Sequence, residues 1–135
     1  MNHEFVEYVP DVLERNTLYV SMQFATATHL CVCGCGNKVV TPIHPTGWKL
    51  EFDGDAVSLR PSIGNWSFRC RSHYWIRDGR AMWAPSMSQN EIERGRQRDR
   101  ELVNDYFGDM ETVGVSAPTE PARPKSFLAR LLWWR

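Results

Sequence analysis

Every cysteine of this 135-residue chain falls in one of two short turn-forming clusters, and this constrains the fold more than any other feature. The first cluster is Cys31-Val32-Cys33-Gly34-Cys35-Gly36. The second, well downstream, is Cys70-Arg71-Ser72-His73. Thiolates and an imidazole in this pattern suit a tetrahedral zinc ion. Zn–S bonds of ~2.3 Å would set the ligand sulfurs roughly 3.8 Å apart. Gly34 and Gly36 let the backbone fold tightly around the first cluster. Five candidates compete for four places. Cys33, Cys35, Cys70 and His73 are the first choice. Cys31, on the same strand face as Cys33, is the spare or a ligand that displaces one of them. His29 and His44 stand further out. A closed four-ligand site would be structural, because a catalytic zinc keeps an open position. The competing readings are a buried core set, a redox pair and an iron–sulfur site. The redox pair leaves Cys70-x-x-His73 unexplained, and an iron–sulfur site suits three cysteines crowded to one side poorly.

The chain is long enough for one domain, and its core is modest enough to gain from a metal staple. Sixteen basic residues balance sixteen acidic ones, so no global field draws the chain to nucleic acid or an anionic membrane. Residues 1–13 carry Glu4, Glu7 and Asp11 and lack the apolar segment of a signal peptide. No stretch reaches the roughly 20 apolar residues of a membrane span. The expected location is therefore the cytoplasm, where thiols serve metals rather than disulfides.

Alternation and turn residues predict a small, mostly antiparallel β domain over residues 1–86, with a zinc-ribbon-like site. Strands are expected at 4–9, 17–24, 28–33, 38–43, 48–52, 56–59, 66–70, 74–76 and 81–83. Residues 11–15 are expected as a helical turn and 61–65 as a loop. Asp53-Gly54-Asp55 and Asp78-Gly79 mark hairpins. Ser88 with Glu91 forms a capping-box pattern, so a single helix is expected over 87–109, with Gly108 at its end. Proline and small residues make 110–125 a linker. Residues 126–135, with Leu131, Leu132, Trp133 and Trp134 beside Arg130 and Arg135, form an apolar and basic docking segment. The class is thus α+β.

Other chemistry is thinner. Ser62 or Ser72 with His44 or His73 could supply a nucleophile and a base, but a serine and a histidine carry little weight without geometry. A metal-bound His73 would also not be free to act as a base. Arg69, Arg71, Arg77 and Arg80, with the nearby tryptophans, read more simply as a solvated face and a sheet core than as a nucleic-acid platform.

Several segments together resemble a family of small bacterial proteins. They are His29-Leu30-Cys31-Val32-Cys33-Gly34-Cys35-Gly36, Thr41-Pro42, Trp48, Leu59-Arg60-Pro61-Ser62-Ile63-Gly64-Asn65-Trp66 and Cys70-Arg71-Ser72-His73-Tyr74-Trp75-Ile76. The similarity covers roughly residues 5–84. Members are often encoded beside ubiquitin-like proteins, E1-like adenylating enzymes, E2-like proteins and JAB-type peptidases. The resemblance implies zinc ligation at the cysteine and histidine positions and an accessory role in a bacterial ubiquitin-like conjugation pathway, in antiphage defence. The expected function is a zinc-stabilised adaptor that binds an E1-like, E2-like or modifier protein and is not an enzyme on its own. The alternatives are an E3-like contributor using Cys31 and a nucleic-acid-binding zinc domain.

Overall fold

The computed structural model describes residues 1–112, with side chains to Met110. Among these residues, eight strands form two four-stranded sheets around one core, and a helix follows. In sheet 1, β1 (Asn2–Phe5) runs parallel to β2 (Thr17–Ser21), and β3 (Thr26–Leu30) and β4 (Lys38–Pro42) follow antiparallel. Sheet 2 is an antiparallel meander of β5 (Lys49–Phe52), β6 (Val57–Gly64), β7 (His73–Arg77) and β8 (Arg80–Trp83). Leu18, Val20, Ala27 and Val39 from sheet 1 meet Val57, Leu59, Ile63, Tyr74 and Ile76 from sheet 2. Burying one such aliphatic side chain contributes roughly 1.5–3 kcal/mol. The period-two pattern is clearest in β4, where Val39 and Thr41 are buried between exposed neighbours.

The turns follow from their residues. Asp78 and Gly79 take positive φ (48° and 70°), the two-residue hairpin that Asp-Gly favours. At the β5–β6 turn, Asp53 Oδ1 accepts from the Asp55 and Ala56 amides at 2.9 and 2.8 Å.

Residues 61–70 depart from the sequence expectation. The predicted loop at 61–65 belongs mostly to β6, and the predicted strand at 66–70 is part of the β6–β7 loop. That loop is closed by the Asn65 N–H donating to Ser72 O at 2.8 Å. Pro61 is tolerated in β6 because the pairing with β5 ends at Arg60 and the ladder to β7 is irregular between Leu59 and Ile63. Leu59 pairs with Ile76 and Ile63 with Tyr74, so β6 spends four residues where β7 spends two. This bulge carries Ser62.

The first strand lies at Asn2–Phe5 rather than 4–9, and no helical turn forms at 11–15. The helix α1 (Gln89–Thr112) begins with the capping box. The Ser88 amide donates to Glu91 Oε2 at 2.7 Å, and the Glu91 amide donates to Ser88 Oγ at 3.3 Å. It continues through Gly108, because one exposed glycine costs only about 1 kcal/mol in a helix interior. Ile92 is its buried anchor, and Tyr106 meets the His44 ring at 5.0 Å. The docking segment and most of the linker lie outside the described residues. No described helix is long and apolar enough to cross a membrane.

Candidate functional site

Two constellations sit on opposite faces of β7. Strand alternation sets this division: Ser72 and Tyr74 turn toward the core, while His73 turns outward.

On the inner side, Cys31 at the end of β3, Cys33 and Cys35 in the β3–β4 turn, and Cys70 in the β6–β7 loop converge. Their sulfurs all lie within 4.8 Å of one another. Cys31 Sγ is 3.4 Å from Cys33 Sγ and 3.9 Å from Cys70 Sγ, close to the roughly 3.8 Å edge of a tetrahedral zinc–thiolate site. The turn is shaped by Gly34 and Gly36 at φ 88° and 83°, and the Cys31 N–H donates to Asn37 O at 2.8 Å. The sulfurs also have donors. The Cys35 amide lies 3.3 Å from Cys33 Sγ, Asn37 Nδ2 lies 3.3 Å from Cys35 Sγ, and Ser72 Oγ lies 3.1 Å from Cys31 Sγ. Asn65 Nδ2 donates to Ser72 Oγ at 2.9 Å, which leaves the single Ser72 proton for a sulfur. Ser72 draws Cys70 down to about 6. At Cys33 the Cys35 amide favours the thiolate, but desolvation and the neighbouring sulfurs of Cys35, Cys31 and Cys70 oppose it, and its thiol is pushed up to about 12. Crowded sulfurs cannot all ionise alone, whereas a divalent cation would let them. The residues therefore fit a metal ion.

This assembly differs from the first-choice ligand set. Cys31, read as the spare, is buried among the sulfurs, and His73 is not with them. His73 opens β7 and faces away from Ser72. His29 and His44 are also apart. His29 Nε2 is 2.8 Å from Tyr74 Oη, and His44 Nδ1 is 2.9 Å from Thr46 Oγ1. Burial lowers His29 to about 4 and also raises Tyr74.

On the outer face the bulge in β6 presents Ser62 to His73. His73 Nδ1 lies 2.7 Å from the Pro85 carbonyl and Nε2 lies 2.9 Å from Ser62 Oγ. A carbonyl only accepts, so the ring proton sits on Nδ1. In the neutral ring Nε2 is then free to accept the Ser62 proton. This is the tautomer of a general base, oriented by a backbone carbonyl in the place a carboxylate often takes. Trp66 stands 5.0 Å from the His73 ring. A cleft of about 400 Å³ opens over the pair, walled by Trp48 and Trp66 and roofed by Ile92, Gly95 and Arg96 of α1. The sequence offers Ser62–His73 as one of several serine–histidine pairings and does not single it out. The usable signal was the alternation Ser72-His73-Tyr74, which cannot send both Ser72 and His73 to one face.

The serine oxygen, the imidazole and the carbonyl behind it stand in line under a walled cleft, the geometry that activation of a serine nucleophile requires. The sequence profile of the family described as bacterial ubiquitination-like system serine protease (BubE) matches residues 5–84, and the chain belongs to that family. It is thereby a component of a bacterial ubiquitination-like system. No curated protein and no solved structure matches the chain.

Proposed function

We propose that this chain is a serine protease of its ubiquitination-like system, with Ser62 as nucleophile and His73 as general base. The observation that carries the reading is the line Ser62 Oγ, His73 Nε2, His73 Nδ1, Pro85 O, with spacings of 2.9 and 2.7 Å at its ends. Ser62 Oγ would attack the scissile carbonyl carbon as its proton passes to His73 Nε2. The imidazolium, held by Pro85 O, then returns that proton to the leaving amine as the C–N bond breaks. Water repeats the sequence on the acyl-enzyme and frees Ser62.

The four sulfurs would hold one Zn²⁺ in a structural role, and a reducing cytoplasm would keep them available. The ion would supply no step, since a four-thiolate site offers substrate no open position. The E3-like alternative loses its spare nucleophile, because all four cysteines belong to the cluster.

An adaptor that only holds an E1-like, E2-like or modifier protein is a second reading. The exposed Leu102, Phe107 and Met110 of α1 favour it. Treatment with a fluorophosphonate, followed by intact-mass analysis, separates the two. The hydrolase reading expects one adduct, mapped to Ser62 and abolished in Ser62→Ala and His73→Gln proteins of unchanged circular dichroism. Labelling that is absent, or that persists in Ser62→Ala, would overturn it.

A further inference from the structure

A second cavity, of about 550 Å³, lies away from the Ser62–His73 cleft, between the cysteine turn and the outer edge of β8. Its size is that of a ligand pocket. Arg15, Val32, Gly34, Arg80, Ala81 and Trp83 are among the residues lining it, and no lining residue is acidic. Three features bear on what it could take.

The first is an open strand edge. Among the described residues, β8 is the last strand of sheet 2 and pairs only with β7. Arg77 and Arg80 flank the two-residue turn, so they form the hydrogen-bonded pair of the hairpin. The alternate residues Ala81 and Trp83 therefore direct their N–H and C=O groups outward, toward the cavity side. An unpaired edge of this kind is a template for an added strand.

The second is charge. Arg15 and Arg80 are exposed and make no salt bridge among the described residues. Arg15 reaches across the cysteine turn, its Nη1 within 3.8 Å of where a Gly34 side chain would begin. Two guanidiniums beside one strand edge, neither paired with a carboxylate among the described residues, favour carboxylates.

The third is an aromatic surface. Trp83 is 61% exposed, yet its ring is fixed edge-on against Tyr74 at 5.9 Å. An exposed tryptophan braced on one side by Tyr74, beside unpaired backbone, suits the apolar side chain of a bound strand.

We propose that this cavity binds an extended acidic segment of a partner protein, which adds to β8 as a fifth strand of sheet 2 with its carboxylates on Arg15 and Arg80. The chain's own residues 126–135 have the wrong charge for this site, carrying Arg130 and Arg135 and no acidic residue. The cavity and the Ser62–His73 cleft have no lining residue in common, so binding here does not require the cleft. The inference stands whether or not Ser62 is a nucleophile.

The test uses the full chain as Ser62→Ala, so that nothing is cleaved, and a blocked hexapeptide of alternating valine and glutamate. The lysine counterpart and an alternately N-methylated glutamate peptide serve as controls. Binding is read by amide NMR. The glutamate peptide should shift the Ala81 and Trp83 amides and protect them from exchange. Arg15→Glu/Arg80→Glu should weaken it about tenfold or more, as expected for loss of charge-assisted hydrogen bonds. Equal binding of the lysine peptide, or of the N-methylated one, would overturn the proposal. So would the absence of any shift at millimolar peptide.

Discussion

Replacing Gly64 by alanine tests whether the wall of the cleft positions the Ser62–His73 pair. Gly64 pairs with His73 across the ladder, and the Trp66 indole lies directly over it. An added Cβ would overlap Trp66 Nε1 and stand 2.7 Å from Cε2, where carbon atoms prefer roughly 3.5–4.0 Å. The indole would have to move by about 1 Å. It is not free to do so at no cost, because the His73 ring lies 5.0 Å from it and the Arg71 guanidinium sits over its ring at 5.6 Å. Overpacking of this kind costs about 1–3 kcal/mol. A displacement of about 1 Å passed on to His73 would slow acylation by up to about 100-fold. Urea unfolding measures the first effect, and the second-order rate of Ser62 labelling by a fluorophosphonate measures the second. Gly64→Ala/Trp66→Leu should recover most of the stability, because leucine vacates the overlapped space. A Gly64→Ala protein that matches the wild type in both measurements would refute the reasoning.

Further outcomes are expected. Protein purified without chelator should contain one zinc per chain by mass spectrometry. Serine at Cys31, Cys33, Cys35 or Cys70 should lower that content, and His73→Gln should not; zinc loss in His73→Gln would return His73 to the ligand set. Tyr74→Phe should cost about 2–3 kcal/mol in urea unfolding, because it strips the buried His29 Nε2 and one Asn65 donor of their partner. Since His29 titrates near 6.5 when unfolded and about 4 when folded, its contribution is intact above the first value. It falls by roughly 3 kcal/mol as pH drops to the second, visible as a loss of Tm that His29→Gln proteins lack. Ser88→Ala should destabilise the start of α1 by about 1 kcal/mol, seen as faster amide exchange at Glu91 and Ile92. The Ser88 amide holds the Glu91 carboxyl below its ordinary value, so that carboxylate's support is present above the ordinary pKa and fades as pH falls through the lowered one.

The parts that could be read from the sequence are those with a local cause. The Asp78-Gly79 hairpin, the Ser88–Glu91 cap and the alternation of Val39 and Thr41 follow from the residues that form them. The spacing about two turns pointed to a meeting of the two cysteine clusters, but not to its membership: Cys31 joins Cys33, Cys35 and Cys70, in the place given to His73. Residues 61–70 resisted, because proline at 61 signals a loop unless the strand is known to outrun its neighbour, and that depends on where β5 ends. The aromatic run Trp66–Phe68 looks like a strand, yet Trp66 covers Gly64 and Phe68 packs on the core from a loop. His73 was ambiguous for a similar reason. The Cys-x-x-His spacing permits a ligand on a turn, but His73 is the first residue of β7, and pairing with Gly64 fixes its side chain on the outer face.

That pairing ties the two constellations together. Ser72, His73 and Tyr74 are consecutive on or beside one strand. Ser72 is held to the sulfurs of Cys31 and Cys70, and Tyr74 to Asn65 and His29. A slip of one residue would exchange the faces, bringing His73 inward and parting it from Ser62. The loop between β6 and β7 is closed at its base by Asn65 and Ser72, and its one cysteine reaches back to β3. Anything that fixes Cys70 in place therefore fixes the register in which His73 faces Ser62. A metal at the cysteine cluster would act on the Ser62–His73 pair through that register alone, without touching either residue. Its removal should loosen the Ser62–His73 hydrogen bond before it unfolds the rest of sheet 2.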